Sequence, residues 1–230
     1  ILAAEECERM AVRLSSEVIL VAEQDCDGMM LLGGDRGHMH VIPHGVDIPA
    51  ELGIKDPPDD VRARLNGQPL IVFIGSAHAP NVEAASYIMD VLAPKFSKCQ
   101  FAIIGSVCLY FNSAPPNVLL FGFLEEKSKD QLVGFADIAI NPMQSGSGSN
   151  LKLAEFFAKS LPTVTTAFGA RGYAITDGKQ ALICSMDDFP QRLDGLMHDP
   201  EQKKSLGRNA FDFARTHLDW SHQALRFHDV

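Results

Sequence analysis

No apolar run in this 230-residue chain comes near the roughly 20 residues that a bilayer-spanning helix needs, so no transmembrane segment is expected. The opening ILAAEECERM lacks the basic flank and apolar core of a secretory signal. Basic residues are in the minority, 20 Lys and Arg against 29 Asp and Glu. The resulting formal charge of −9 argues for no nucleic acid partner held by bulk charge, though not against one diphosphate bound locally. The five cysteines (Cys7, Cys26, Cys99, Cys108 and Cys184) are scattered, odd in number and never spaced C-x-x-C. That disfavours a disulfide framework or a zinc site and fits a reducing, cytoplasmic setting. Repeats and low-complexity segments are missing. So is a Walker A loop, since no Gly-Lys-Ser/Thr follows Gly148, and Gly75-Ser-Ala-His-Ala-Pro does not fit G-x-G-x-x-G. The first residue is Ile1, not methionine, which suggests a chain cut from something longer.

What is present is regular. From Pro69 onward, apolar runs at Leu70–Ile74, Phe101–Ile104, Val118–Phe121, Asp137–Ile140, Thr163–Thr165 and Ala181–Cys184 predict strands. Helices are expected between most of them, at Asn81–Leu92, Lys127–Phe135, Ser149–Lys159 and Asp187–His198. Continuous apolar strands alternating with helices define an α/β domain with a doubly wound, Rossmann-like parallel sheet covered on both faces. Before it, residues 2–15 and Glu23–Leu32 read as helices, and Val18–Ala22 and His40–Pro43 as short strands. Pro49–Gly67, interrupted by Pro57-Pro58, reads as a linker and a short helix, and Gln202–Phe227 as two helices broken near Leu218-Asp219.

Ligands of such a sheet bind beyond the carboxyl ends of its strands. The loop QSGSGSN, Gln144 to Asn150, leads there into the helix carrying Lys152, Glu155 and Lys159. A helix tip behind a glycine loop is an anion seat, because its first N–H groups lack partners and its peptide dipoles add. A plain turn capped by Ser149 is equally compatible with the loop alone. Lys152, Glu155 and Lys159 share a side at i, i+3 and i+7, the spacing of a solvated ion-pair stripe, but the apolar Leu151, Ala154, Phe157 and Ala158 turn the first polar turn towards the cleft. Glu155 lies too deep to be a cap and suits a ribose diol. His78, in the loop after the first main strand, suits a phosphate or sugar hydroxyl as well as it suits a plain surface position. His38, His40 and His44 form H-x-H-x-x-x-H, but without an acidic or cysteine partner beside them a metal site is disfavoured. An enzyme domain for a nucleotide-linked donor and a non-catalytic α/β sensor or receiver both survive. Gly-Ser pairs, where a receiver needs clustered acids, favour the enzyme.

Taken in order, VIPHGVD, IVFIGSAHAPNVEAASYI, FAIIGS, NVLLFGFLEE and GSGSNLKLAEFFAKSLPTVTTAFGARG resemble the donor-binding half of retaining GT-B glycosyltransferases, in particular glycosyltransferase family 4. The likeness runs over nearly the whole chain. It implies residues 1–47 as a remnant of the acceptor domain with its hinge, and 48–230 as a nucleotide-sugar donor domain with a C-terminal crossing helix. Glu155 is then the second acid of E-x7-E, on the ribose hydroxyls. Gly148, Ser149 and Asn150 bind the diphosphate through their backbone, Phe123 and Leu124 face the base, and Gly75 and Ser76 lie by the donor phosphates and sugar. The implied activity is retaining hexosyl transfer from a nucleotide-diphosphate sugar, with no cofactor and no metal required. A GT-B epimerase or phosphorylase half is the alternative.

The chain departs from the family in three ways. Ser147 stands where the first acid of E-x7-E belongs, and Ser76 and His78 stand where many members carry a basic pair, leaving Lys152 to supply charge. Only about 40 residues precede the hinge motif, so the acceptor half and any catalytic base are expected outside this chain. Alone it should bind nucleotide and transfer little, and self-association through an exposed remnant is anticipated.

Overall fold

The computed structural model describes residues 2–50, 52, 56, 59–65, 67–146 and 148–230. Pro57, Pro58 and Ser147 lie outside the described residues. Two strands, β1 (Val18–Leu20) and β2 (Met39–Val41), pair in parallel and pack Leu20 and Met39 with Cys26 of the helix Gln24–Leu31. The main sheet comprises β3 (Leu70–Ile74), β4 (Gln100–Ile104), β5 (Val118–Gly122), β6 (Ile138–Asn141), β7 (Thr163–Thr166) and β8 (Leu182–Cys184). All its pairings are parallel and its order is β5-β4-β3-β6-β7-β8. The chain therefore builds outward from β3, returns, and builds the other way from β6.

Both faces of the sheet are buried, as continuous apolar strands require. In β3, Ile71 and Phe73 enter one core with Ile88, Leu92, Phe189 and Leu193. The alternate residues Leu70 and Val72 enter the second, with Leu132, Val133 and Phe156. Burying each such side chain stabilises the fold by about 1.5–3 kcal/mol. The expected helix Asn81–Leu92 runs Ala79–Tyr87 and then widens through Ile88–Leu92. Pro94, which donates no N–H and crowds the carbonyl a turn earlier, accounts for the widening.

The first 45 residues are tied to the rest through the last helix and the hinge. Arg226 donates to the Val41 carbonyl (2.7 Å), and the Val46 N–H to that of Leu218 (2.7 Å). Gly45 lies so close to the Trp220 ring that a Cβ there would strike it. No described helix is long and apolar enough to cross a membrane.

Candidate functional site

Because order reverses between β3 and β6, the loops leaving these two strands part and open a crevice at their carboxyl ends. A groove of about 380 Å³ lies there, lined by Gly75, Ser76, His78, Ser149, Asn150, Lys152 and Glu155 among others. The topology thus brings together seven of the eleven donor-site candidates expected from sequence. A larger cavity, about 510 Å³, sits by Asp137 and Pro162 at the amino ends of β6 and β7, away from the edge where this fold binds ligands.

The floor is made by two glycine turns set against each other. The Gly75 N–H donates to the Ile104 carbonyl (2.9 Å), and the Gly75 carbonyl accepts from Val107 (3.1 Å). Gly105 has φ +108°, and a Cβ on it would run into that same Gly75 oxygen. His78 precedes the helix Ala79–Tyr87 without capping it through its side chain.

The opposite wall is the loop before the helix Leu151–Ala158. Gly148 turns it with φ +64°, a left-handed backbone that L side chains rarely adopt. The Gly148 carbonyl accepts two bonds from Arg171, at 3.0 and 2.6 Å, and the Arg171 guanidinium stacks 4.5 Å from the Phe168 ring centroid. The Tyr173 hydroxyl donates to the Asn150 carbonyl (3.1 Å), and burial pushes the phenol up to about 12, so it stays a donor. Arg171 and Tyr173 thus hold the carbonyls of Gly148 and Asn150 on either side of Ser149. Ser149 is not the cap: Asn150 holds that position and makes no side-chain cap bond, while Ser149 Oγ is buried. Arg171 and Tyr173 escaped residue-by-residue reasoning. The Gly-Ala-Arg-Gly turn, which contains Arg171 and ends just before Tyr173, is their only trace in the sequence motifs.

Lys152 reaches into the groove floor. Its Nζ donates to Asn81 Oδ1 (2.6 Å) and lies 4.6 Å from the centroid of the Phe73 ring. Asn81 in turn donates to the Ser76 carbonyl (3.2 Å) and Ser76 Oγ (3.1 Å), so one buried amide couples the lysine to the β3 loop. Removal from water lowers the Lys152 pKa from its ordinary 10.5 to about 7. Among the described residues no carboxylate pairs with it, and Asn81, which accepts from it, is a neutral group.

The shared side of Lys152, Glu155 and Lys159 does not become a stripe. Glu155 pairs with Lys129 (3.0 Å) and Lys159 with Asp130 (2.7 Å), both on the helix Glu126–Phe135. Their i, i+3, i+7 spacing fixed direction from the axis, while a second helix supplied the partners. Phe123 and Leu124 are absent from the groove lining; Phe123 is 89% exposed and Leu124 packs on the second core. They follow β5, the sheet's edge strand, two strands or roughly 10 Å from β3.

His38 and His40 do have an acidic neighbour, correcting the expectation from sequence. Glu17 stands 3.5 Å from His38 and 2.7 Å from His40, and the His40 bond holds its carboxyl below the usual range. Among the described residues, the ligand-type groups near enough to share one cation are instead Glu126, Asp130 and Glu155, where Lys129 and Lys159 already pair.

A parallel doubly wound sheet with a glycine loop and helix tip at its switch point defines a Rossmann-like domain. The sequence matches the family Glycosyl transferases group 1 over residues 68–199, more than half the chain, and the protein belongs to that family. Its structure is similar to Anabaena HepE, solved in complex with UDP-glucose (TM-score 0.77, 15% identity, covering 99% of this chain and 68% of HepE). It also resembles sucrose-phosphate synthase from Thermosynechococcus elongatus (0.76, 17%, covering 100% and 61%). A third likeness is to WaaG, a glycosyltransferase involved in lipopolysaccharide biosynthesis (0.64, 18%, covering 91% and 61%). The chain thus spans about two thirds of HepE and 61% of the other two. No curated protein matches it in sequence.

Proposed function

We propose that this chain is the donor-binding part of a glycosyltransferase, taking a sugar from a nucleoside-diphosphate sugar and transferring it with retained configuration. The observation that carries the reading is the groove at the β3/β6 switch. There a braced glycine loop, Lys152 and Glu155 line one groove, the kinds of group that suit a diphosphate and a ribose. Similarity to HepE, whose complex contains UDP-glucose, supports it.

In this reading residues 48–230 hold the donor, residues 1–47 belong to the acceptor half, and the acceptor with any catalytic base lies with that half. Loop N–H groups and Lys152 stabilise charge as it builds on the departing diphosphate, so the protein's own cation does the work and no metal is called for. Glu155 accepts from the ribose, and Ser76 and His78 border the transferred sugar. Ser147, which would stand nearest that sugar by the family pattern, gives it at most a hydroxyl. Exposed Leu14, Ile19, Trp220 and Phe227 near the remnant and last helix would drive self-association, which sedimentation of the purified chain checks.

Titration calorimetry with UDP, GDP, ADP and dTDP tests the reading. Binding of at least one below millimolar is expected, and silence from all four overturns it. Products made once an acceptor half is restored then separate a transferase from an epimerase or phosphorylase.

A further inference from the structure

We propose that Lys129 is the positioning residue of the ribose contact, holding the Glu155 carboxylate from the side away from the donor groove. The inference rests on the donor-site reading of Glu155. Glu155 walls both the groove and an adjoining cavity of about 380 Å³ beside Asp47 and Trp220, whereas Lys129 lines only the second. Lys129 therefore meets the carboxylate from behind, 3.0 Å from Oε1, without standing in the ligand's path.

That oxygen is closed to water, and among the described residues the ammonium at 3.0 Å is the charge that meets it. Lys129 thus turns one oxygen inward by charge and leaves the other to a hydroxyl in the groove. The pair is mostly out of water, with side-chain exposures of 22% and 21%, where an ion pair is screened less than on the surface. Burial works against the charge on Lys129, but Glu155 and Glu126 outweigh it and hold the pKa above its ordinary value. The ammonium is permanent at neutral pH.

Lys129 is not needed to keep the two helices together. Lys159 and Asp130 join the same helices one turn further on (2.7 Å), and Leu132, Val133 and Phe156 pack between them. What its loss frees is the carboxylate, whose rotors would then have to be ordered by the ligand.

The test titrates UDP, 2′-deoxy-UDP and inorganic pyrophosphate into the wild-type chain and into Lys129→Met and Lys129→Arg. If another nucleoside diphosphate binds tighter, it and its 2′-deoxy counterpart replace the uridine pair. Wild type should prefer the ribonucleotide by about 10-fold, one charge-assisted hydrogen bond's worth. Lys129→Met should cut that preference to about 3-fold or less, Lys129→Arg should restore most of it, and pyrophosphate should bind all three alike. An unchanged preference in Lys129→Met overturns the inference alone, as does an equal loss for all three ligands, which would mean a merely structural lysine. A wild-type chain silent to UDP and to the other nucleoside diphosphates overturns the donor-site reading and takes this one with it.

Discussion

Raising the pH from 7 to 9 should weaken nucleoside-diphosphate binding to the wild-type chain, and replacing Lys152 by methionine should flatten that dependence. Burial lowers the Lys152 pKa to about 7, so in the empty groove half of the molecules carry a neutral amine at pH 7 and about 99% at pH 9. A diphosphate set beside the amine favours the ammonium. Binding must therefore draw a proton from solvent, and affinity falls with the fraction already charged. From one half to about one hundredth is roughly 50-fold, or about 2.3 kcal/mol. The ligand does not mask the effect, since its terminal phosphate, with pKa about 6, is largely ionised over this range. Calorimetry at pH 7, 8 and 9, in buffers of different ionisation enthalpy, reads both affinity and proton uptake, which should grow from about half a proton to about one. Lys152→Met should bind weakly at every pH, with no uptake. Wild-type affinity that stays level, or a slope that survives in Lys152→Met, refutes the reasoning. The same group gives a sign for the free protein. Its folded pKa lies below the unfolded 10.5, so the unfolded chain binds more protons between about 7 and 10.5, and stability should rise with pH across that window.

Glu155→Ala should weaken nucleotide binding by about 10- to 100-fold, the worth of one charged hydrogen bond at 1.5–3 kcal/mol, and leave pyrophosphate binding untouched; equal affinity for nucleotide would return Glu155 to a structural ion pair. Arg171→Ala removes both bonds to the Gly148 carbonyl, so pyrophosphate and nucleotide should weaken together, by 10-fold or so, with a lowered melting temperature. Gly148→Ala forces a side chain into φ +64° at a cost of about 1–2 kcal/mol, read as a drop in thermal midpoint together with weaker UDP binding.

Much of the scaffold was legible because its determinants are local. Leu70–Ile74 is apolar without alternation and too short for a buried helix, which fits a strand covered on both faces, and the strand occupies that span. Gly148 before Asn150 and Leu151 announced a loop entering a helix, since the loop needs a left-handed residue there. The sides of that helix followed from 3.6 residues per turn.

What stands opposite those sides did not follow. Lys152, Glu155 and Lys159 point from one side of one helix, yet Asn81 is brought from 71 positions away by the β3/β6 crossing, and Lys129 and Asp130 arrive on a separate helix. Glu17 reaches His40 across 23 positions in the same way. Phe123, which the family resemblance sets facing the base, follows β5 at the edge of the sheet and stands exposed, a position that strand order alone decides. By itself the sequence determined the elements, their faces and the chemistry available at the loop. Only the tertiary structure decided which charges are neutralised and which stays open, because partners, dielectric and distance depend on the order in which strands assemble, and no short-range pattern encodes that order.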